Sequence, residues 1–168
     1  MVHPFAGFWR KRPRGLPLIG IVWIALWVLA WLVSSPWRLV VLYQTGWSWV
    51  LAAPFWAVAI FVEGAGVRGL RFWRIIGRPE LNPSRRDNQL VTTGIQGRVR
   101  HPLYLGHLCI MLGWDIGTGS LACWSLTAFA VVAGAAMIRA EERELEQRFG
   151  AAYREYKRRV PVIVPRWK

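Results

Sequence analysis

Two short polar stretches carry the side chains able to do chemistry. One is Arg98-Val99-Arg100-His101-Pro102-Leu103-Tyr104-Leu105-Gly106, and the other is Arg139-Ala140-Glu141-Glu142. Pro102 suits the first position of a helix, where its missing N–H is no loss. The N–H groups after it are then free and, with the helix dipole, make a place for an anion. Arg98, Arg100 and His101 stand at that threshold, Tyr104 follows within the first turn, and Gly106 lets another backbone or a flat ligand come close. Glu141 and Glu142 offer oxygens to hydroxyl or amino groups, and Arg139 offers a cation to a polar head. Brought together, these groups can bind a small molecule that combines a carboxylate, sugar hydroxyls and a flat base or sulfonium. Each also has a plainer role. His101 can cap a helix, Arg98 and Arg100 can touch lipid headgroups, and the paired acids can be a solvated helix face.

The elements between and around these stretches read as membrane helices. The chain has 168 residues, enough for one domain, and twelve of them are Trp, a residue that favours the two faces of a bilayer. Leu16 to Val33 is an uncharged run of 18 residues that reads as a retained span rather than a signal peptide. Trp47 to about Val67 is a second span, with Pro54 expected to kink it and Glu63 near its inner end. An acid there is either functional or paired with Arg68 or Arg71. Leu103 to Ile116 and Ser120 to Ile138 read as a hairpin of two further helices around the turn Gly117-Thr118-Gly119. Gly113 and Gly134 are its expected close contacts, and Asp115 its solvated cap.

The net charge of +13 does not indicate nucleic acid. Four of the 22 basic residues lie in 1–15, one is Arg38, eight lie in 68–100 and nine in 139–168. Basic blocks separated by apolar runs follow the positive-inside rule and leave no continuous basic groove. Four spans with both termini cytoplasmic satisfy that rule. The arm 1–15 then hugs the inner interface, and 68–78 continues the second helix or lies on anionic lipid. Leu90 to Gly94 is a short extended lead-in. Residues 139–160 read as a separate charged helix, with Leu145, Phe149, Tyr153 and Tyr156 on one face and Gly150 as a local weakness. Cys109 and Cys123 give neither a metal spacing nor a disulfide framework.

Two motifs carry a family resemblance. Arg100-His101-Pro102-x-Tyr104-x-Gly106, with the lead-in Leu90-Val91-Thr92-Thr93-Gly94-Ile95, is similar to the signature of the isoprenylcysteine carboxyl methyltransferase and phospholipid methyltransferase superfamily. So is Glu141-Glu142-x-x-Leu145-x-x-x-Phe149-Gly150-x-x-Tyr153-x-x-Tyr156, with Pro161 and Pro165 after it. The likeness covers about residues 75–165. It implies an integral membrane enzyme that uses S-adenosylmethionine and releases S-adenosylhomocysteine. It also implies a cytoplasm-facing cofactor pocket touched by Asn88, Gln89, Leu90 and Val91, by His101 and by Glu141. Two departures stand out. Gln96 occupies the place where the family has a cofactor-contacting Tyr, and Met137 the place where the prenylcysteine enzymes have a substrate-holding Arg.

The combined expectation is an all-α membrane protein of about four spans. Segments 1–67, 68–101, 102–138 and 139–168 are its N-terminal spans, cytoplasmic connection, hairpin and C-terminal cover. It would carry a methyl group from S-adenosylmethionine to a hydrophobic or lipid-like acceptor taken from the bilayer. The cofactor-binding candidates are Asn88, Gln89, Leu90, Val91, Gln96, Arg100, His101, Leu103, Tyr104, Glu141 and Glu142; the catalytic candidates are Arg139 and Glu141. The alternative is a non-enzymatic membrane protein that binds a lipid or partner through the same pocket.

Overall fold

The structure is a computed structural model that describes residues 16–69 and 89–164. The basic arm 1–15, the part 70–88 of the expected connection 68–101, with Asn88, and residues 165–168, with Pro165, lie outside the described residues. Among the described residues five helices run in chain order: α1 (Leu16–Val33), α2 (Gly46–Gly69), α3 (Pro102–Thr118), α4 (Leu121–Phe149) and α5 (Ala151–Arg159). A 3-10 turn at Gly94–Gly97 precedes α3. Among the described residues there is no strand, only an isolated bridge between Val41 and Ser120. Two helices, α2 and α4, are long and apolar enough to cross a membrane. Their flanks leave Trp47, Ile60, Phe61, Phe129 and Val132 well exposed, a surface that suits lipid better than water.

The helix boundaries correct three expectations. α3 begins at Pro102, as its chemistry dictates, but runs 17 residues to Thr118 rather than ending near Ile116. Asp115 is therefore inside the helix and is no solvated cap. It is 1% exposed, and the Thr127 side chain of α4 hydrogen-bonds it. The fourth apolar run and the charged segment are not separate helices either. α4 continues through Ile138 and Arg139 to Phe149, because a change from apolar to charged side chains alters the surroundings and not the backbone. The break comes at Gly150, whose φ of +55° only glycine adopts readily. α2 is helical on both sides of Pro54.

Packing centres on α3, which lies between α2 and α4. Gly106, Gly113 and Gly117 fall on one side of α3 and receive Glu63, Trp56 and Trp49 of α2. A Cβ at Gly113 would lie 2.3 Å from Trp56 Nε1, and one at Gly117 would lie 2.7 Å from the Trp49 ring. Trp49, Trp56 and Trp114 stack mutually, with ring centroids 5.5 to 6.0 Å apart. Gly113 thus seats α2 and not the hairpin partner, while Gly134 has nothing closer than Tyr104 Cδ1 at 3.9 Å. Glu63 lies 3.5 Å from His107 Nδ1; Arg71 and the side chain of Arg68, its expected partners, lie outside the described residues.

The end of the bundle away from the polar stretches is closed by the α1–α2 connection. Leu42 N–H donates to Gly119 O at 2.9 Å, Leu121 N–H donates to Val40 O at 3.0 Å, and the Tyr43 hydroxyl donates to Ile116 O at 3.0 Å. The α3–α4 turn and the α1–α2 turn therefore share one end. Both polar stretches fall at the other.

Candidate functional site

The threshold before α3 is built by tight local turns. Gly94 takes a φ of +65°, and a Cβ on Gly97 would come within 2.9 Å of Thr92 O. The Tyr156 hydroxyl of α5 donates to Gln96 O at 2.6 Å and holds the turn from below. Arg100 N–H donates to Pro161 O (2.9 Å) and His101 N–H to Val162 O (3.1 Å), so the segment after α5 straps the threshold. His101 sits at the N-cap position of α3, yet its side chain makes no capping bond. The ring turns to α4 instead.

There the two polar stretches meet. Arg100 Nη2 lies 3.0 Å from Glu142 Oε1, with side chains 6% and 11% exposed. Lys157 of α5 approaches Glu142 Oε2 at 3.3 Å, so cations from two elements clamp one carboxylate. The His101 ring lies between the acids, with Nδ1 3.8 Å from Glu141 Oε2 and Nε2 3.5 Å from Glu142 Oε1. Burial holds the His101 pKa below its ordinary value, against the pull of the two carboxylates. The ring is therefore neutral at neutral pH, and these are dipolar contacts rather than ion pairs. Tyr104 stacks edge-on against His101 at 5.6 Å, and its hydroxyl donates to Glu141 Oε2 at 3.4 Å. Beneath the acids Tyr153, Tyr156 and Val160 pack with Leu90, Leu145 and Phe149 into the apolar floor of the site. Burial pushes the Tyr156 phenol up to about 12.

Among the described residues, several buried polar atoms here have no protein partner. They are both amide atoms of Gln96, which is 5% exposed, Nε and Nη1 of Arg100, and the Tyr153 hydroxyl. Orphaned buried donors and acceptors are costly and mark a place for a polar ligand. A groove of about 430 Å³ opens beside Arg100, between it, Lys157 and the strap at 160–164.

Of the residues singled out from the sequence, Arg100, His101, Tyr104, Glu141 and Glu142 come together. Gln96 is tied to them through Tyr156. Leu90 and Val91 are half-buried, Gln89 is exposed, and Leu103 faces Gly66 of α2. Arg98 and Arg139 are exposed, outside this set of contacts. Lys157 was not foreseen, and nothing in the run Lys157-Arg158-Arg159 distinguishes it beforehand. Tyr156 is placed by the sequence on one helix face and within the second motif, and its spacing carries no sign of the bond to Gln96.

A helical hairpin that brings His-Pro-x-Tyr against paired acids defines a class, and comparison with known proteins agrees. Residues 49–152 match the model of the phospholipid methyltransferase family, and the chain belongs to that family. It is 32% identical over 163 residues to methanethiol S-methyltransferase 2 of Bradyrhizobium diazoefficiens, an alignment covering 95% of this chain and 54% of that protein. It is 43% identical over 83 residues to protein-S-isoprenylcysteine O-methyltransferase B of Arabidopsis thaliana, covering 46% of this chain and 40% of the plant protein. It is also 35% identical over 91 residues to the delta(14)-sterol reductase TM7SF2 of Mus musculus, covering 51% of this chain and 21% of that protein. The chain thus spans about half the length, or less, of the curated relatives it matches. No solved structure matches it.

Proposed function

We propose that the chain is a four-span membrane methyltransferase with both termini on the cytoplasmic side. It transfers a methyl group from S-adenosylmethionine to a hydrophobic or lipid-like acceptor at the inner interface. A small thiol is the favoured acceptor, since the relative that aligns with 95% of the chain is named for methanethiol. Met137, at the place where the prenylcysteine enzymes have a substrate-holding Arg, also argues against a carboxylate acceptor.

The observation that carries this reading is the meeting of Arg100, His101 and Tyr104 with Glu141 and Glu142, beside buried polar atoms that lack partners. These groups suit S-adenosylmethionine. The Gln96 carboxamide offers one donor and one acceptor, matching the edge of an adenine. The free Arg100 nitrogens and the start of α3 at Leu103–Tyr104 suit the methionine carboxylate. Glu141, which meets His101 and Tyr104 through Oε2, suits a ribose hydroxyl or the amino group, and Gln89 to Val91 flank it. Glu142 spends its oxygens on Arg100 and Lys157 and so positions the others. Arg139, exposed at the inner part of α4, orients the acceptor.

Bound S-adenosylmethionine would supply a methyl group already activated by its sulfonium. The chain's own residues then need chiefly to align donor and acceptor and exclude water. Calorimetric titration of the purified protein with S-adenosylhomocysteine tests the reading. Saturable binding, weakened in Glu141→Ala without unfolding, is the expected result. No binding would overturn it, and binding of NADPH in its place would favour the reductase relative.

A further inference from the structure

The methyl site leaves one polar pair unused, Glu63 of α2 and His107 of α3. His107 Nδ1 lies 2.6 Å from the Leu103 carbonyl, which can only accept, so in the neutral ring that nitrogen carries the proton. Glu63 Oε1 lies 3.5 Å from the same nitrogen. The Glu63 side chain reaches it by crossing α3 over Gly106, where a Cβ would stand 2.4 Å from Glu63 Cγ. Among the described residues Nε2 has no partner, and the imidazole is 71% exposed. A carboxylate and a carbonyl behind Nδ1 with Nε2 open in front is the arrangement that makes histidine a base.

Position adds to the argument. His107 lies one turn past Tyr104 and five residues past Pro102, ~8 Å along α3 from its start. An ionisable pair at that depth on a lipid-facing surface is costly, and its default reading is functional. Glu63 is the titratable group that α2 turns toward His107. The acids of α4 are taken by His101, Tyr104, Arg100 and Lys157.

We infer that His107 is the base that deprotonates the acceptor, with Glu63 as its positioning residue, and that the acceptor is a thiol still protonated at neutral pH. This rests on the methyltransferase reading above. The thiol proton passes to Nε2, and the sulfur electron pair becomes the new S–CH3 bond. The pair of the broken bond stays on the donor sulfur, which loses its positive charge, and the imidazolium returns its proton to water.

The test uses the full protein with two thiols, an alkanethiol that is mostly protonated at neutral pH and an aromatic thiol that is already ionised. His107→Asn should lower kcat/KM for the alkanethiol by ~10²- to 10⁴-fold and leave the ionised thiol near wild type. Glu63→Gln should shift the pH profile of the alkanethiol reaction alone. In the dead-end complex with S-adenosylhomocysteine, the alkanethiol should show thiolate absorbance with wild type and none with His107→Asn, while S-adenosylhomocysteine affinity is unchanged. Equal losses with both thiols, or thiolate absorbance that survives in His107→Asn, would overturn the inference. Methylation of neither thiol by a wild type that binds S-adenosylhomocysteine would also overturn it. Failure of wild type to bind S-adenosylhomocysteine sinks the parent reading instead.

Discussion

Glu142 and Glu141 are neighbours in sequence, yet their surroundings predict opposite phenotypes. Glu142→Leu removes the carboxylate between Arg100, at 3.0 Å, and Lys157, at 3.3 Å. Arg100 is only 6% exposed at its side chain, so its guanidinium would be left buried and unpaired. Stranding one partner of a buried pair costs about 3–5 kcal/mol. Lys157 is 41% exposed and can turn to water, and Glu141 remains near, so the lower figure of about 3 kcal/mol applies. For a chain of this size that is ~6–12 °C in Tm. Glu141→Gln, by contrast, loses a long Tyr104 contact and a dipolar His101 contact and should move Tm by ~2 °C or less, under about 1 kcal/mol. The assay is thermal unfolding of detergent-solubilised protein followed by circular dichroism. Arg100→Leu combined with Glu142→Leu should recover much of the loss, because the double variant leaves Arg100's charge out of the core. Equal Tm values for Glu142→Leu and wild type, or a larger drop in Glu141→Gln, would refute the division of labour between the two acids.

Two further outcomes follow from the packing and the titration. Gly113→Ala should destabilise by about 1–3 kcal/mol by pushing Trp56 out of its seat, whereas Gly134→Ala, with 3.9 Å of clearance, should be neutral in the same unfolding assay. His101 has a lowered pKa in the fold, so the unfolded chain binds more protons once the pH falls below about 6.5. Stability should therefore be lost as pH falls through that value, and His101→Gln should flatten this part of the Tm–pH curve.

What the sequence revealed was what short-range chemistry encodes. Pro102 announced the start of α3, Gly119 its left-handed end, and the hairpin made His101 and Glu141 neighbours forty residues apart. The misreadings concern partners chosen in three dimensions. The glycines of α3 are spaced to admit a helix, but spacing does not say which, and Trp49, Trp56 and Glu63 of α2 take the place. Asp115 reads as solvated because it stands near a turn, but Thr127 of α4 covers it. The join at Ile138–Arg139 looked like a boundary because composition changes there while helical backbone does not. The Lys157 clamp and the 161–162 strap are long-range closures that no periodicity announces.

The unbroken passage of α4 through Ile138 and Arg139 has a mechanical consequence. At 29 residues the helix is ~44 Å long, more than the ~30 Å of a hydrocarbon core. The acids thus ride on a stiff mast whose foot stands in lipid. A thinner or thicker bilayer changes helix tilt, and with no hinge between foot and tip the tilt arrives undiminished at Glu141 and Glu142. His101 and Tyr104 are carried by the shorter α3, wedged between its neighbours. On the function proposed above, the gap between the two halves of the pocket follows the thickness of the surrounding membrane, and lipid composition becomes a tuning input for methyl transfer.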